Sequence, residues 1–241
     1  MKDYLLDLIQ HTHSFVDIVK VTGTDADTRI TASSDDRTVI IYGNFKTPVT
    51  EFTGVFGMPN LTKLKTIVNF DDYDDDAIIN IIRGTSSDPN APAAIHFETK
   101  NGDFINDYRL MAKGIVEEKV KDVVFKGGNS WDIQFEPSIA NIQRLKKQSQ
   151  ANSEESYFKT KTENGDLKIY FGDPSTHSGN FVFQSNVSGK LSRPWNWPVK
   201  TFLSIMDLPG DKMVHITDAG AIEITVDSGL SVWRYLLPGM K

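Results

Sequence analysis

The histidines are the first residues to test for chemistry, because imidazole binds metals and transfers protons near neutral pH. The chain has five histidines and no cysteine. The lack of cysteine excludes thiolate zinc sites, disulfides and a cysteine nucleophile. No histidine stands in an HExxH or zinc-finger spacing, and His11 and His13 are two residues apart, which on a helix turns their rings in different directions. We therefore expect no metal site and no histidine-based catalysis.

The acidic run 71–76, which reads DDYDDD, is the other candidate for metal binding. An EF-hand loop requires carboxylates at fixed offsets, an internal glycine and a closing glutamate. The run lacks that arrangement. We interpret it as a solvent-exposed loop after a helix.

Two further patterns resemble catalytic motifs but have the wrong spacing. In the segment SGKLS (188–192), Leu191 follows the lysine where a phosphate-binding loop has Ser or Thr, and Gln184 occupies the position of the first glycine. The nucleophile elbow GxSxG is missing from the sequence. These observations predict a protein that is not an enzyme and that carries no cofactor.

The pair Trp195 and Trp197, close to Arg193, is a candidate platform for sugars or for stacked bases. Such a platform would fit a structural or carbohydrate-contacting β-rich virion subunit, or a single-strand binding protein. A single-strand binding protein would have basic strands interleaved with aromatic residues, and the strands here are not basic. Trp197 also fits a simpler interpretation, in which it packs as the residue before a helix start.

The rest of the sequence reads mainly as short strands. Alternating or β-branched runs predict strands at 29–33, 38–45, 78–83, 93–99, 103–111, 131–135, 157–162, 167–171, 181–187, 213–217, 221–226 and 231–236. The Asn-Gly pairs at 101–102 and 164–165 supply the positive φ angles of tight hairpin turns. The sheets are therefore predicted to be antiparallel.

Helical patterns occupy four stretches. They begin at Lys2, after Pro59, after Pro137-Ser138 and at Pro198. Their apolar stripes comprise Leu61, Leu64, Ile67 and Val68 in the second, Ile139, Ile142 and Leu145 in the third, and Val199, Phe202, Ile205 and Met206 in the fourth. Asp3 and Asp7 interrupt the first helix, so it fits neither a signal peptide nor a membrane span. We expect a soluble protein without membrane contact.

The order of these elements repeats. The first half runs helix, about four strands, helix and about three strands, and the second half follows the same plan after one extra strand. The charged segment 112–122 separates the halves. We predict an α+β fold of two similar domains, 1–115 and 116–241, each with two helices packed on antiparallel sheets.

Charge is distributed unevenly between helices and strands. The chain carries a formal charge of −6, but the four helical segments 1–14, 58–69, 138–150 and 195–206 together carry +5, which leaves −11 elsewhere. A cluster of these helices would form a polyanion-binding surface on an acidic protein. The alternative is that lysines on helix surfaces serve solubility alone, and the negative first helix favours it.

At this level the sequence resembles the DNA sliding clamps, and in particular those of T-even-type bacteriophages. The segment WDIQFEPSIANIQRLKKQS (131–149) is similar to the strand and helix that open a clamp domain. FTGVFGMPNLTKLKTIVNF (52–70) resembles the strand and second helix of the first domain, and residues 197–239 resemble the final helix and three closing strands. Together these stretches cover about half of the chain.

The resemblance implies a homotrimeric ring that encircles double-stranded DNA without reading its sequence. It implies the replicative DNA polymerase and a clamp loader as partners, and the cytoplasm of an infected bacterial host as the location. The DNA-facing residues would be Lys63, Lys65, Arg144, Lys146, Lys147 and Lys200, with Lys65 and Lys146 closest to the apolar stripes.

The polymerase-binding residues would be Ile115, Val116, Val120, Leu236, Leu237 and Pro238. The C-terminal residues also fit a last strand that packs in its own core. Asp3 and Asp7 depart from the pattern, and would face a domain or subunit boundary.

Overall fold

The computed structural model describes residues 1–84, 89–121, 130–175 and 177–240. This part of the chain forms two compact units. Unit 1 comprises Met1–Asp35, Ile41–Val123 and Ser228–Trp233, and unit 2 comprises Asp36–Ile40, Val124–Asp227 and Arg234–Lys241. None of the described helices is long and apolar enough to cross a membrane.

Unit 1 follows the predicted order of elements. Its elements are α1 (Lys2–Thr12), β1 (Ile18–Gly23), β2 (Thr28–Ser33), β3 (Ile40–Phe45), β4 (Gly54–Pro59), α2 (Leu61–Val68), β5 (Ile78–Arg83), β6 (Pro92–Glu98), β7 (Ile105–Arg109) and α3 (Lys113–Lys119). A short 3₁₀ turn, Thr50–Phe52, precedes β4. The strands are arranged β4-β1-β2-β3 and β5-β6-β7, with antiparallel pairing of β1 to β2 and β4, and of β6 to β5 and β7.

Unit 2 repeats this arrangement. Its elements are β8 (Ile133–Phe135), α4 (Ile139–Ala151), β9 (Tyr157–Glu163), β10 (Asp166–Gly172), β11 (Ser178–Gln184), β12 (Asn196–Pro198), α5 (Val199–Met206), β13 (Asp211–Thr217), β14 (Ala221–Asp227) and β15 (Ser231–Pro238), whose first three residues belong to unit 1. The strand order β12-β9-β10-β11 matches β4-β1-β2-β3 of unit 1. In the other sheet, β13 pairs antiparallel with β14 and with β8.

The predicted α+β class, with few helices on antiparallel sheets, is thus confirmed. The domain limits 1–115 and 116–241 stay a prediction, and the point that separates them falls inside α3. The sequence patterns missed this helix, and the predicted strands omitted β1, β4 and the three-residue β12, of which β4 was covered only by the resemblance of 52–70. In β1, residues Val19, Lys20 and Val21 are all buried, although the sequence alternates apolar and polar residues there.

The two Asn-Gly pairs behave differently. Asn164 and Gly165 both have positive φ, 54° and 83°, and they join β9 to β10 as a two-residue hairpin turn with Glu163 opposite Asp166. A turn is present at 101–102, where Gly102 has a φ of 71° and its N–H donates to the Thr99 backbone oxygen at 2.9 Å. It is not a two-residue hairpin, because β6 and β7 pair from Glu98 and Ile105 and are joined by a longer loop. In that loop, the Thr99 hydroxyl donates to Asp103 at 2.6 Å. This local hydrogen bond competes with a tight turn.

His96 occupies the centre of one face of the sheet β5-β6-β7. It lies opposite Asp107 in the register, and Glu98 follows two residues later on the same face. The ring nitrogens contact both carboxylates, with Nδ1 at 2.8 Å from Asp107 and Nε2 at 3.0 Å from Glu98. These hydrogen bonds, first that to Glu98 and then that to Asp107, raise the pKa of His96 above its ordinary 6.5.

The doubly bonded His96 predicts a pH-dependent contribution to stability. Because its folded-state pKa is raised, the contribution is complete below pH 6.5 and is lost as the pH rises through the raised pKa. The melting temperature of the wild type relative to that of a His96→Gln variant should therefore fall between about pH 6 and pH 9. The comparison with the variant is required because burial lowers the pKa of His13 and of His215, which gives the opposite trend. Parallel melting curves for the two proteins across this range would contradict the prediction.

Candidate nucleic-acid interface

Helices α2, α4 and α5 share a composition that sets them apart from the rest of the chain. Together they contain Lys63, Lys65, Arg144, Lys146, Lys147 and Lys200, and none of the 32 acidic residues of the chain. Helices α2 and α5 each bury an apolar side and α4 buries Leu145, and all three leave polar residues exposed. The cationic side chains therefore have no carboxylate on their own helix to neutralise them.

In unit 1, α2 packs against α1. Both its buried side and its N-terminus are held in place. Leu61, Leu64 and Val68 are fully buried. Asn60 caps the helix, with its side chain accepting a hydrogen bond from the backbone N–H of Lys63 at 3.1 Å. Lys63 and Lys65 are exposed on the remaining surface, as the spacing predicted.

Lys65 contacts a histidine from the chain segment that follows α1. Its ammonium lies 3.0 Å from His13 Nε2, and the Ser14 hydroxyl lies 3.2 Å from His13 Nδ1. Burial and the nearby ammonium hold the pKa of His13 below its ordinary value. A neutral His13 accepts the hydrogen bond, so this contact leaves the positive charge of Lys65 in place.

In unit 2, α4 and α5 contact each other and carry the other cations. Ser138 caps α4, its hydroxyl accepting from the Asn141 N–H at 3.2 Å, so the helix begins where the sequence predicted. Arg144 and Lys147 are exposed and three residues apart, so they are neighbours on the helix surface. Lys200 is exposed in the first turn of α5. Lys146 instead forms an ion pair with Asp207, which follows α5, and its side chain is 33% exposed.

Apart from Ile139, the other exposed residues of these helices are small or uncharged and polar. They are Thr62, Thr66, Ala140, Gln143, Gln150, Ala151 and Ser204. Hydroxyl and amide groups, like Lys and Arg, donate hydrogen bonds to phosphate oxygens without reading base identity. The sequence reasoning did not include them, although they occupy the same helical faces as the predicted cations.

One predicted apolar stripe is wrong. Of Ile139, Ile142 and Leu145 in α4, only Leu145 is buried, and the Ile139 side chain is 79% exposed. The helix is anchored further along, where Gln148 and Asn152 meet β11 closely enough that a Cβ at Gly179 would lie 2.6 Å from Gln148 Oε1. The first turn of α4 therefore remains outside the core.

The predicted polymerase-binding residues are mostly interior. Val116 and Leu237 are fully buried, and Val120 and Leu236 are 5% and 4% exposed. Val116 lies so close to β4 that a Cβ at Gly57 would be 2.8 Å from Val116 Cγ2. Ile115 is 51% exposed, and Pro238 is half-buried. Met240 is held within unit 2, because it and Asn196 exchange backbone hydrogen bonds of 2.9 and 3.0 Å.

The tryptophan pair does not form an open platform. Trp197 is fully buried, and its indole N–H donates to the Thr160 hydroxyl at 3.1 Å. The indole N–H of Trp195 donates to the backbone oxygen of Asp218 at 3.0 Å, and its ring packs against Gly220 and Gly239. A sugar or base has no pair of exposed rings to stack on here, so this feature does not support the virion alternative.

The acidic run after α2 has the form of a surface loop. Its five aspartates are exposed, and Tyr73 is buried and anchors it. Asp76 forms an ion pair with Lys100 at 2.7 Å. Among the residues that the structure describes, no group of three or more metal-ligating side chains comes together.

The whole chain superposes on known structures at low sequence identity. One is A. fulgidus PCNA bound to the C-terminal region of FEN-1, with a TM-score of 0.71, 8% identity, and coverage of 100% of this chain and 96% of that one. The chain has the PCNA fold. A second is PCNA from Thermococcus kodakaraensis, with a TM-score of 0.69, 10% identity, and coverage of 100% and 97%. No family model matches the sequence, and no curated protein does.

Helix α1 contacts α2, and its two acidic residues have separate roles. Asp7 is 8% exposed and turned inward, where it accepts hydrogen bonds from the Ser231 hydroxyl and, at 3.1 Å, from the Trp233 indole N–H. His11, one turn along α1, stacks on Trp233 with ring centroids 5.2 Å apart. Asp7 therefore anchors the start of β15 within unit 1, and only Asp3 is exposed.

This anchoring role gives a test with a matched control on the same helix. Asp7→Ala leaves the buried Trp233 indole N–H without its acceptor and the Ser231 hydroxyl with the Ser228 hydroxyl as its remaining acceptor, and should lower the free energy of unfolding by about 1.5–3 kcal/mol. Asp3→Ala removes an exposed carboxylate near the helix start, and should cost less than about 1 kcal/mol. Urea denaturation of both variants measures the difference. Equal losses would show that Asp7 does not hold β15.

Proposed function

We propose that this chain is one subunit of a DNA sliding clamp, a ring that encircles duplex DNA and performs no catalysis itself. The observation that carries the proposal is the set of carboxylate-free helices with six cationic residues, on a chain that has the PCNA fold over its full length. The remainder of the chain is strongly acidic, so these helices are the surface that attracts a polyanion.

The proposed mode of binding follows from the side chains. Lys63, Arg144, Lys147 and Lys200 are exposed cations that neutralise phosphates through counterion release, which carries no sequence information. Uniform and individually weak contacts are exchanged at little cost as the ring moves along the duplex. Lys65 contributes charge beside neutral His13, and Lys146, paired with Asp207, contributes less.

In the proposed assembly, three copies close the ring and hold the replicative polymerase on DNA after a clamp loader has opened it. From the resemblance to T-even-type clamps, we further propose that this assembly acts in bacteriophage replication, in the cytoplasm of an infected bacterium. Ile115 is the exposed member of the predicted polymerase site in unit 1, and Pro238, in unit 2, is half-buried. Val116 and Val120 are buried in unit 1, and Leu236 and Leu237 in unit 2, so they contribute through packing.

Charge reversal tests the DNA interface. A variant with Lys63, Arg144 and Lys147 changed to Glu should thread poorly onto linear duplex from an open end, since each lost phosphate contact lowers the salt slope of binding by about 0.9. The measurement is retention on bead-bound duplex after the free end is blocked, followed by release when a restriction enzyme opens it. Release on cleavage separates encirclement from simple adhesion.

In the matched control variant, three exposed lysines outside these helical faces are changed to Glu. They are Lys113, Lys119 and Lys190. This control variant has the same net charge as the test variant, so non-specific repulsion of DNA is equal in both. Equal threading by the two variants would contradict the assignment of the helices. Wild-type protein that stays bound after cleavage would contradict encirclement.

The ring itself predicts a defined mass. Native mass spectrometry or light scattering should give three times the chain mass of 27.0 kDa at micromolar concentration. The complex should dissociate to monomers on dilution and form again on concentration, as a reversible homotrimer does. A strict monomer or a dimer across the concentration range would contradict the ring.

A further inference from the structure

Unit 2 contains a groove of about 600 Å³ beside the first turn of α4. One wall consists of Pro137, Ile139 and Ile142, and the opposite wall includes Met213 and Thr225, which are paired across β13 and β14. The volume lies in the range of grooves that accommodate a few ligand side chains. None of these residues is among those predicted to contact DNA or the polymerase.

Ile139 is the unusual residue in this wall. At 79% it is the most exposed of the large apolar side chains in the described ranges, and it projects from the start of a capped helix. Ile142, three residues later, lies on the same side of α4 and is half-buried. The helix therefore presents an aliphatic edge to the groove, and the unit itself does not cover it.

The rim of the groove carries more negative than positive charge. Glu136 and Asp211 are exposed and Asp227 is half-buried, while Lys212 is the one basic residue of the lining. Asp211 and Asp227 are directly opposite each other across β13 and β14. Like charges in this position destabilise a strand pair.

Lys212 is already engaged by the loop before β13. Its ammonium donates to the backbone oxygens of Leu208 and, at 3.0 Å, of Gly210. Burial lowers the pKa of Lys212, against the opposing effect of Asp207 and Asp211. Its charge offsets part of the acidic rim, and the balance of the lining residues stays negative.

We propose that this groove docks a short peptide segment of a partner protein, with an aliphatic or aromatic anchor flanked by lysine or arginine. The anchor packs against Ile139, Ile142 and Met213, and the basic residues meet Glu136, Asp211 and Asp227. A nucleic acid is disfavoured at this site because the carboxylates repel phosphates. The site does not depend on the proposed DNA channel, so the two proposals can fail separately.

The probe is a fluorescein-labelled peptide with two central leucines between pairs of arginines, titrated by fluorescence anisotropy into the full-length protein. Ile139→Ser should weaken binding by at least tenfold, about the loss expected when one aliphatic side chain is no longer buried. Ile139 is exposed, so the fold should tolerate this change, and circular dichroism verifies it. The double variant Asp211→Asn with Asp227→Asn should also weaken binding and reduce its dependence on salt.

Two controls separate docking from attraction of a cation to an acidic protein. Ile105→Ser, in unit 1 and 52% exposed in the wild type, should bind the peptide as the wild type does. A peptide with glycines in place of the leucines should bind the wild type at least tenfold more weakly. The proposal is overturned if Ile139→Ser binds like the wild type, if the glycine peptide binds equally well, or if the leucine peptide shows no saturation below about 1 mM.

Discussion

The separation of positive charge onto helices and negative charge onto strands and loops is the constraint on which the proposed function depends. Helix α2 shows how the fold enforces it. The side chains of Leu61, Leu64 and Val68 are buried in the core of unit 1. Lys63 and Lys65 occupy the exposed positions of the helix, which take no part in core packing. No carboxylate shares the helix. Packing and charge are thus specified by different residues of the same eight-residue segment, and either can change without the other.

Helix α1 is the exception that the structure explains. Counted by sequence, its charge is negative and argues against a basic helical surface. With Asp7 buried against Ser231 and Trp233, that charge serves the attachment of β15 and is absent from the exterior. The Lys2 ammonium is also directed at the protein, because it donates a hydrogen bond to the backbone oxygen of Tyr73. The number of charged residues in a helix sequence is therefore larger than the number of charges that the helix surface exposes, for acidic and basic residues alike.

The repeat of helices and strands could be predicted from sequence because apolar periodicity reflects which face of each element is buried, as at Val199, Phe202 and Ile205 in α5. The same rule failed where tertiary contacts decide burial. Ile139 has the right spacing but lies beyond the point at which α4 is anchored, and Lys20 is buried in β1 although it is charged. The cations proposed for the interface could be named from the helical charge count and the clamp resemblance, whereas the pairing of Lys146 with Asp207 depends on residues 61 positions apart.

The same charge distribution argues for encirclement over simple binding. With a formal charge of −6, each chain repels DNA at a distance, and the attraction of Lys63, Arg144 or Lys147 is felt only within a Debye length of about 8 Å at physiological salt. A small number of solvent-exposed phosphate contacts form and break rapidly. A complex in which the protein does not encircle the DNA would therefore dissociate quickly. A closed ring removes dissociation by diffusion without strengthening any contact. In the proposed ring, a weak cationic lining would favour movement along the duplex, since no phosphate would be held firmly enough to stop it.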